Sequence, residues 1–213
     1  MVDPHSPHSL HFFEHDDSPC ADVITATPLI VDHVQNSVDE WGWDRDKLTV
    51  VFADAGAATR FTHVPHMLGA DRAYIDKSRP DDSENPNIKA IVGDVKDRCC
   101  LIIDDEILTG TTAVKDAQIV QQHGAKAIAM ATIHAPLEAP PDSPTAVENL
   151  LNSPIERFVI TNTIPCEDKV APYPDRFTVL SVAPLVAEAI NRIVTGDSLT
   201  ALHRMEMVDS YQH

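Results

Sequence analysis

Short apolar runs alternate along this chain with amphipathic stretches and polar turns, but only after a polar opening. Residues 1–24 are rich in His and Asp and show little periodicity, so this part reads as incomplete for a domain. The run Pro28-Leu29-Ile30-Val31 begins a helix. Leu48-Thr49-Val50-Val51-Phe52-Ala53 reads as a buried strand, and the turn Asp54-Ala55-Gly56 leads into a helix ending near Gly69. Ala73-Tyr74-Ile75 is a short strand, and the segment from Asp76 to Pro86 is too polar and proline-punctuated for regular structure, which predicts a mobile loop. Ala90-Ile91-Val92 and Cys99-Cys100-Leu101-Ile102-Ile103 are further strands, the second a strong central one. A helix from about Thr111 to Gln122 is stopped by Gly124, which can turn left-handed at no steric cost. Strand Ala127–Thr132, a proline-rich loop, helix Ala146–Leu151, strand Arg157–Thr161, strand Thr178–Val182 and helix Pro184–Val194 complete the pattern. Strands alternating with helices predict an α/β fold: a parallel sheet with helices on both faces and ligands at the carboxyl ends of its strands. No internal repeat is visible.

The chemistry concentrates where the central strand ends. Five apolar residues, Cys99 to Ile103, deliver Asp104 and Asp105 to the sheet's carboxyl edge, where carboxylates can accept from ribose hydroxyls or hold Mg²⁺ through water. Leu108-Thr109-Gly110-Thr111-Thr112 follows. Gly110 permits close backbone approach, the threonine hydroxyls donate, and the unpaired N–H groups of the next helix face the same spot, so a phosphate fits. The plainer reading is a strand-to-helix turn with Thr111 as N-cap. Asp54 likewise has a plain reading, as the cap of the helix that follows it. His8, His11 and His15 lie at spacings that would line a helix face and suit a transition metal, but Pro4 and Pro7 oppose a helix there, and a solvated cluster is the favoured reading.

Composition narrows the classes. With 213 residues the chain can bury a sizeable core, and no apolar run approaches the roughly 20 residues of a membrane span. Thirty-three acidic residues against 16 basic ones give a formal charge of -17, which repels polyanions and argues against nucleic acid. Small phosphorylated ligands stay compatible with that charge, because oriented N–H groups and a bound cation can hold them. The opening Met1-Val2-Asp3-Pro4-His5 has neither the basic nor the apolar region of a secretory signal, which predicts a cytoplasmic protein. Cys20, Cys99, Cys100 and Cys166 show no CxxC spacing, so disulfides are not expected.

The apolar strand, the acidic pair and the Thr109-Gly110-Thr111 loop resemble the ribose-5-phosphate loop of type I phosphoribosyltransferase folds. More narrowly, the stretch from Val50 to about Leu202 resembles the ribose-phosphate diphosphokinase (phosphoribosyl pyrophosphate synthetase) family. The match is carried by Val51-Phe52-Ala53-Asp54-Ala55-Gly56 with Arg60, Ile75-Asp76-Lys77-Ser78-Arg79-Pro80, Val92-Gly93-Asp94-Val95, Asn152-Ser153-Pro154-Ile155-Glu156 and the run Leu180 to Ile190. Val2-Asp3-Pro4-His5 with Phe12-Phe13 resembles the family's Asp-Leu-His segment. The resemblance implies transfer of a diphosphoryl group from MgATP to the 1-hydroxyl of ribose 5-phosphate, with release of AMP. It implies that Lys77 and Arg79 are catalytic cations, that Asp104, Asp105, Leu108, Thr109, Gly110, Thr111 and Thr112 hold ribose 5-phosphate, and that His5, Asp54 and Asp3 serve the Mg²⁺. It also implies a homo-oligomer, or a hetero-oligomer with a full-length relative.

Two departures accompany the match. The family has a whole α/β domain before its Asp-Leu-His segment, so residues 1–46 read as a remnant of that domain and residues 47–213 as the phosphoribosyltransferase-like domain. Leu108 stands where the family loop usually has Asp. A diphosphokinase is therefore the first reading and a non-catalytic ribose-phosphate-binding or regulatory relative the second. A phosphoribosyltransferase joining a base to the sugar is the third, with only the loop after Ile133 as a base hood.

Overall fold

A computed structural model describes residues 1–15, 18–19, 21–76 and 90–203. After the polar start, in which Pro7–Phe13 forms a 3₁₀ turn and Glu14–His15 (β1) pairs with Ser18–Pro19 (β2), the chain enters helix α1, Thr27–Ser37. Then come β3 (Leu48–Phe52), α2 (Ala55–Arg60), α3 (Val64–Leu68), β4 (Asp71–Asp76), β5 (Ala90–Val92) and β6 (Cys99–Glu106). The second half runs α4 (Thr111–Gln122), β7 (Ala127–His134), α5 (Ala146–Leu151), β8 (Arg157–Thr161), α6 (Glu167–Val170), β9 (Phe177–Leu180) and α7 (Ala183–Thr195).

Seven strands form one sheet in the order β5-β4-β3-β6-β7-β8-β9. All neighbours are parallel except β5, which runs antiparallel to β4 with Ile75 opposite Ile91. That edge strand departs from the all-parallel expectation. Three residues of it give no period from which direction could be read, and only pairing decides the orientation.

The central strands are buried on both faces, as near-continuous apolar runs require. Along β6, Cys100 and Ile102 enter a core with Ala113, Ala117 and Val120 of α4 and Leu150 of α5. Cys99, Leu101 and Ile103 enter the opposite core with Ile30, Val31 and Val34 of α1, Val64 of α3, and Leu185 and Ala189 of α7. Helices thus cover both faces. Residues Ile24, Val38 and Trp43 belong to that second core along with β3, so no break in packing falls at residue 46. Burial pushes the Cys100 thiol up to about 12, so it is an inert packing group.

The single helix expected from Gly56 to Gly69 is two short ones. Pro65 lies in the first turn of α3, where a missing N–H costs nothing, and α2 ends before it. Gly69, near which the helix was expected to end, closes α3 in the left-handed region. β6 and β7 extend past their apolar runs, to Glu106 and His134, because ladder bonds continue through the polar tail. Among the described residues no helix is long and apolar enough to cross a membrane.

Candidate functional site

β3 and β6 lie side by side, and the chain leaves them toward opposite sides of the sheet, β3 feeding β4 and β6 feeding β7. That is a topological switch point, where an open α/β sheet leaves a crevice beyond its carboxyl ends. The structure has a cavity of about 310 Å³ there. Asp54 comes to it from the end of β3, Asp104, Asp105 and Glu106 from the end of β6, and Leu108, Thr109, Gly110 and Thr112 from the loop.

The loop's shape is set by Gly110, the N-cap of α4, at φ +75° with no side-chain cap. A Cβ on Gly110 would sit 3.1 Å from both the Ala146 carbonyl and Leu150 Cγ, so glycine serves both the turn and the close packing of α5. Thr111 is therefore not the N-cap; it lies one residue inside the helix, its hydroxyl 2.8 Å from that of Thr109. The Thr111 N–H donates to the Thr109 hydroxyl at 3.4 Å, the N–H groups of Thr112 and Ala113 have no intrahelical carbonyl to bond, and together they carry the positive end of a 12-residue helix. From α5, Asn149 donates an amide hydrogen to the Thr109 carbonyl at 3.1 Å, while a Thr145–Glu148 capping box fixes the start of that helix.

The opposite wall comes from far away in the chain. His134, at the end of β7, bonds the Asp3 carbonyl through Nε2 at 2.7 Å and the Thr163 hydroxyl through Nδ1 at 2.9 Å. Met1 and Asp3 pair with Ile24 through backbone bonds, and Asp3 adopts φ +36° in doing so. This strap brings His5 Nδ1 to 2.6 Å from Asp105 Oδ2, where Arg60 Nη1 also lies at 2.6 Å; Arg60 donates a further bond to the His5 carbonyl at 2.8 Å. Asp105, its side chain 13% exposed, is thereby held by the Arg60 guanidinium and the His5 ring.

The carboxylates are not equivalent. Burial pushes the Asp104 carboxyl up to about 7, the charges of Asp105 and Asp54 acting in the same direction against the N–H that Asp105 donates to it. Asp54 spends Oδ1 on capping α2, accepting from Ala57 N–H at 2.8 Å, so its plain reading as a cap is realised while it also faces the cavity. Asp3 is not gathered with the others. Its carboxylate turns to the start of α1, accepting from Ala26 N–H at 2.7 Å, and lines a different cavity with Thr27, Phe61 and Met67; burial raises its pKa. His5, two residues along, reaches the site because the left-handed backbone at Asp3, φ +36°, breaks the extended alternation that would point both side chains the same way.

Lys77 and Arg79, with most of the loop from Asp76 to Pro86, lie outside the described residues. Among the described residues no three His, Cys, Asp or Glu side chains close into a metal-binding set. His8 and His11 instead stack with ring centroids 5.7 Å apart, one 3₁₀ turn from each other. The donors around the cavity are hard carboxylate oxygens, from Asp54, Asp104, Asp105 and Glu106, which suits Mg²⁺. That ion keeps several waters and takes one or two carboxylates plus ligand phosphates. His5 could offer only Nε2, since Nδ1 is engaged.

Fold and topology together define a phosphoribosyltransferase-like α/β protein with an acidic cavity and a glycine-bearing loop at the switch point. A family model described as phosphoribosyl synthetase-associated domain matches residues 72–204. The ribose-phosphate pyrophosphokinase of Streptomyces coelicolor is 37% identical over 202 residues, covering 94% of this chain and 57% of its own length. That of Aquifex aeolicus is 34% identical, covering 95% of this chain and 59% of its own length. The crystal structure of phosphoribosylpyrophosphate synthetase from Mycobacterium smegmatis superposes with a TM-score of 0.73 at 29% identity, over 92% of this chain and 58% of that one. The chain belongs to the ribose-phosphate diphosphokinase, or phosphoribosyl synthetase, family. It spans a little under three fifths of the length of the curated relatives it matches.

Sequence reading placed Arg60 and Glu106 within family stretches but gave neither a role, and it missed Asn149 and His134. Asn149 carries no signal of its own on a helix, since its carbonyl partner lies 40 residues away. Polar residues continuing an apolar strand, as Glu106 and His134 do, are the signal that could have singled out those two.

Proposed function

We propose that this chain binds ribose 5-phosphate at the β6–α4 loop and, with MgATP, forms phosphoribosyl pyrophosphate for nucleotide synthesis in the cytoplasm. The observation that carries the reading is the convergence of Asp54, Asp104, Asp105, Leu108, Thr109, Gly110 and Thr112 on one cavity of about 310 Å³ at the switch point. In this reading the 5-phosphate sits on the first-turn N–H groups of α4 and the hydroxyls of Thr109, Thr111 and Thr112. Asp104 and Asp105 accept from the ribose hydroxyls, with Arg60 and His5 fixing the orientation of the Asp105 carboxylate. The 1-hydroxyl oxygen forms a bond to the β-phosphorus of ATP as the bond to the α-phosphate oxygen breaks, and AMP leaves. Bound Mg²⁺, near Asp54 and His5, would supply charge neutralisation at the phosphates. Lys77 and Arg79 are the cations assigned to the transferring group, where positive charge contributes by stabilising the transition state.

One observation favours a second reading, a ribose-phosphate-binding relative without turnover. Leu108 puts an apolar side chain, 48% exposed, at the mouth of the cavity, where a carboxylate would otherwise face the reacting carbon. A single pair of measurements separates the two. AMP release from the purified chain with Mg²⁺, ATP and ribose 5-phosphate is expected, and Lys77→Ala abolishes it. Calorimetric binding of ribose 5-phosphate with no AMP release selects the second reading, and no binding by either route defeats both.

A further inference from the structure

Four carboxylates face the cavity at the switch point, and three of them already answer to donors of the protein. Asp105 Oδ2 lies 2.6 Å from both Arg60 Nη1 and His5 Nδ1. Asp104 Oδ1 accepts the Asp105 N–H at 2.9 Å, and Asp54 Oδ1 accepts the Ala57 N–H at the start of α2. Glu106 is the exception. Among the described residues its carboxylate accepts no hydrogen bond and meets one basic atom, His5 Nδ1 at 4.0 Å, which Asp105 already engages.

An acid without a protein donor ordinarily turns fully to water. Glu106 does not, its side chain being 35% exposed. As the last residue of β6 it is held opposite His134 by the ladder, and residues two apart on a strand share a face, which sets it on the Asp104 side. It also stands between two cavities. The one of about 310 Å³ lies on one side, and on the other is one of about 690 Å³ lined by Val2, Ser9, His134, Thr163 and Val186; Glu106 and His5 are the residues common to both. Each volume is of the size that encloses a small ligand. Mg²⁺ is held by one or two carboxylates with phosphate oxygens and water, so a carboxylate with both oxygens uncommitted at that boundary is a donor two phosphorylated ligands can share through the ion. At Asp105 the same dication would face the Arg60 guanidinium.

We propose that Glu106 is the principal protein ligand of the Mg²⁺ ion, holding it at the boundary of the two cavities, where ligands of either one can supply phosphate oxygens. The identity of those ligands rests on the ribose-phosphate function proposed above, whereas the place of the ion rests on Glu106. With Asp3 turned to the Ala26 N–H, Glu106 also replaces the acid that the expected set of His5, Asp54 and Asp3 loses.

Mn²⁺ is the probe, since it takes the same hard oxygen donors and its paramagnetic resonance signal reports the free ion. The full chain is titrated with Mn²⁺ alone and again with ribose 5-phosphate present. Binding that Mg²⁺ displaces is expected, weakened about tenfold or more by Glu106→Gln. Glu138→Gln, which removes the same charge from an exposed position in the loop after β7, should leave it unchanged. Calorimetry in chelator should give Glu106→Gln the parent's affinity for ribose 5-phosphate, because sugar and phosphate rest on other residues. Mn²⁺ binding by Glu106→Gln equal to the parent's overturns the proposal, as does a parent that binds no Mn²⁺ in either titration. Equal weakening by Glu138→Gln overturns it too, by showing diffuse attraction to a chain of charge -17. So does loss of ribose-5-phosphate affinity by Glu106→Gln in chelator, which would place the acid on the sugar. A parent whose Mn²⁺ binding depends on Glu106 but which binds no ribose 5-phosphate upholds the ion site and defeats the functional reading alone.

Discussion

On one side of the acidic cavity, Thr109 to Thr112 take their shape chiefly from neighbours in sequence, a left-handed glycine, a hydroxyl pair two residues apart and the free end of the helix they begin, with one bond added by Asn149 of α5. On the other side, residues 1–6 have no such local support and are held by His134 and Arg60, bonded across sequence separations of 131 and 55. The two walls meet at Asp105, which belongs to the first and is gripped by the second. A wall built locally keeps its geometry while the fold stands. A wall built by a few long-range hydrogen bonds, each worth about 1 kcal/mol net, can open without unfolding the domain.

The largest expected effect comes from breaking the local wall. Gly110→Ala places a Cβ in the left-handed region and 3.1 Å from the Ala146 carbonyl, which should cost about 1–3 kcal/mol of stability in urea unfolding and at least about tenfold in ribose-5-phosphate affinity. Breaking the strap should cost less and act elsewhere. His134→Phe removes both bonds of the ring, at about 1–2 kcal/mol. Hydrogen exchange at residues 2–6 should then quicken while the 109–113 amides stay protected by bound ribose 5-phosphate; equal deprotection of both would erase the distinction between the walls.

Protonation sharpens the comparison at the point where the walls meet. Asp104 has a folded pKa of about 7 against an unfolded value near 4, so the folded state holds the extra proton between those values. Its contribution is destabilising above about pH 7 and fades as pH falls toward 4, the reverse of a salt-bridged acid. In metal-free buffer Asp104→Asn should therefore be more stable than the parent at pH 8, with the difference shrinking steadily toward pH 4. A difference independent of pH would mean the crowding of Asp104, Asp105 and Asp54 is relieved some other way. The smallest effect on stability belongs to Leu108→Asp, within about 0.5 kcal/mol because the side chain is already exposed. Its effect should appear in function, as a gain in Mg²⁺-dependent AMP release over the parent chain.

Sequence alone determined the parts of this protein whose physics is local. Apolar runs named the central strands, Gly110 and the threonines named the loop, and the acids following Ile103 had to sit at a strand's carboxyl edge. The family resemblance reached Asp54 and His5 because those residues stand in contiguous matching stretches. Tertiary structure decided whatever depended on a partner distant in the chain. It turned Asp3 toward Ala26 and away from the cavity, joined Arg60 to an acid 45 residues on, and set β5 antiparallel at the edge. Side-chain direction, register and pairing are settled by packing against the rest of the chain, and no window of sequence contains that packing.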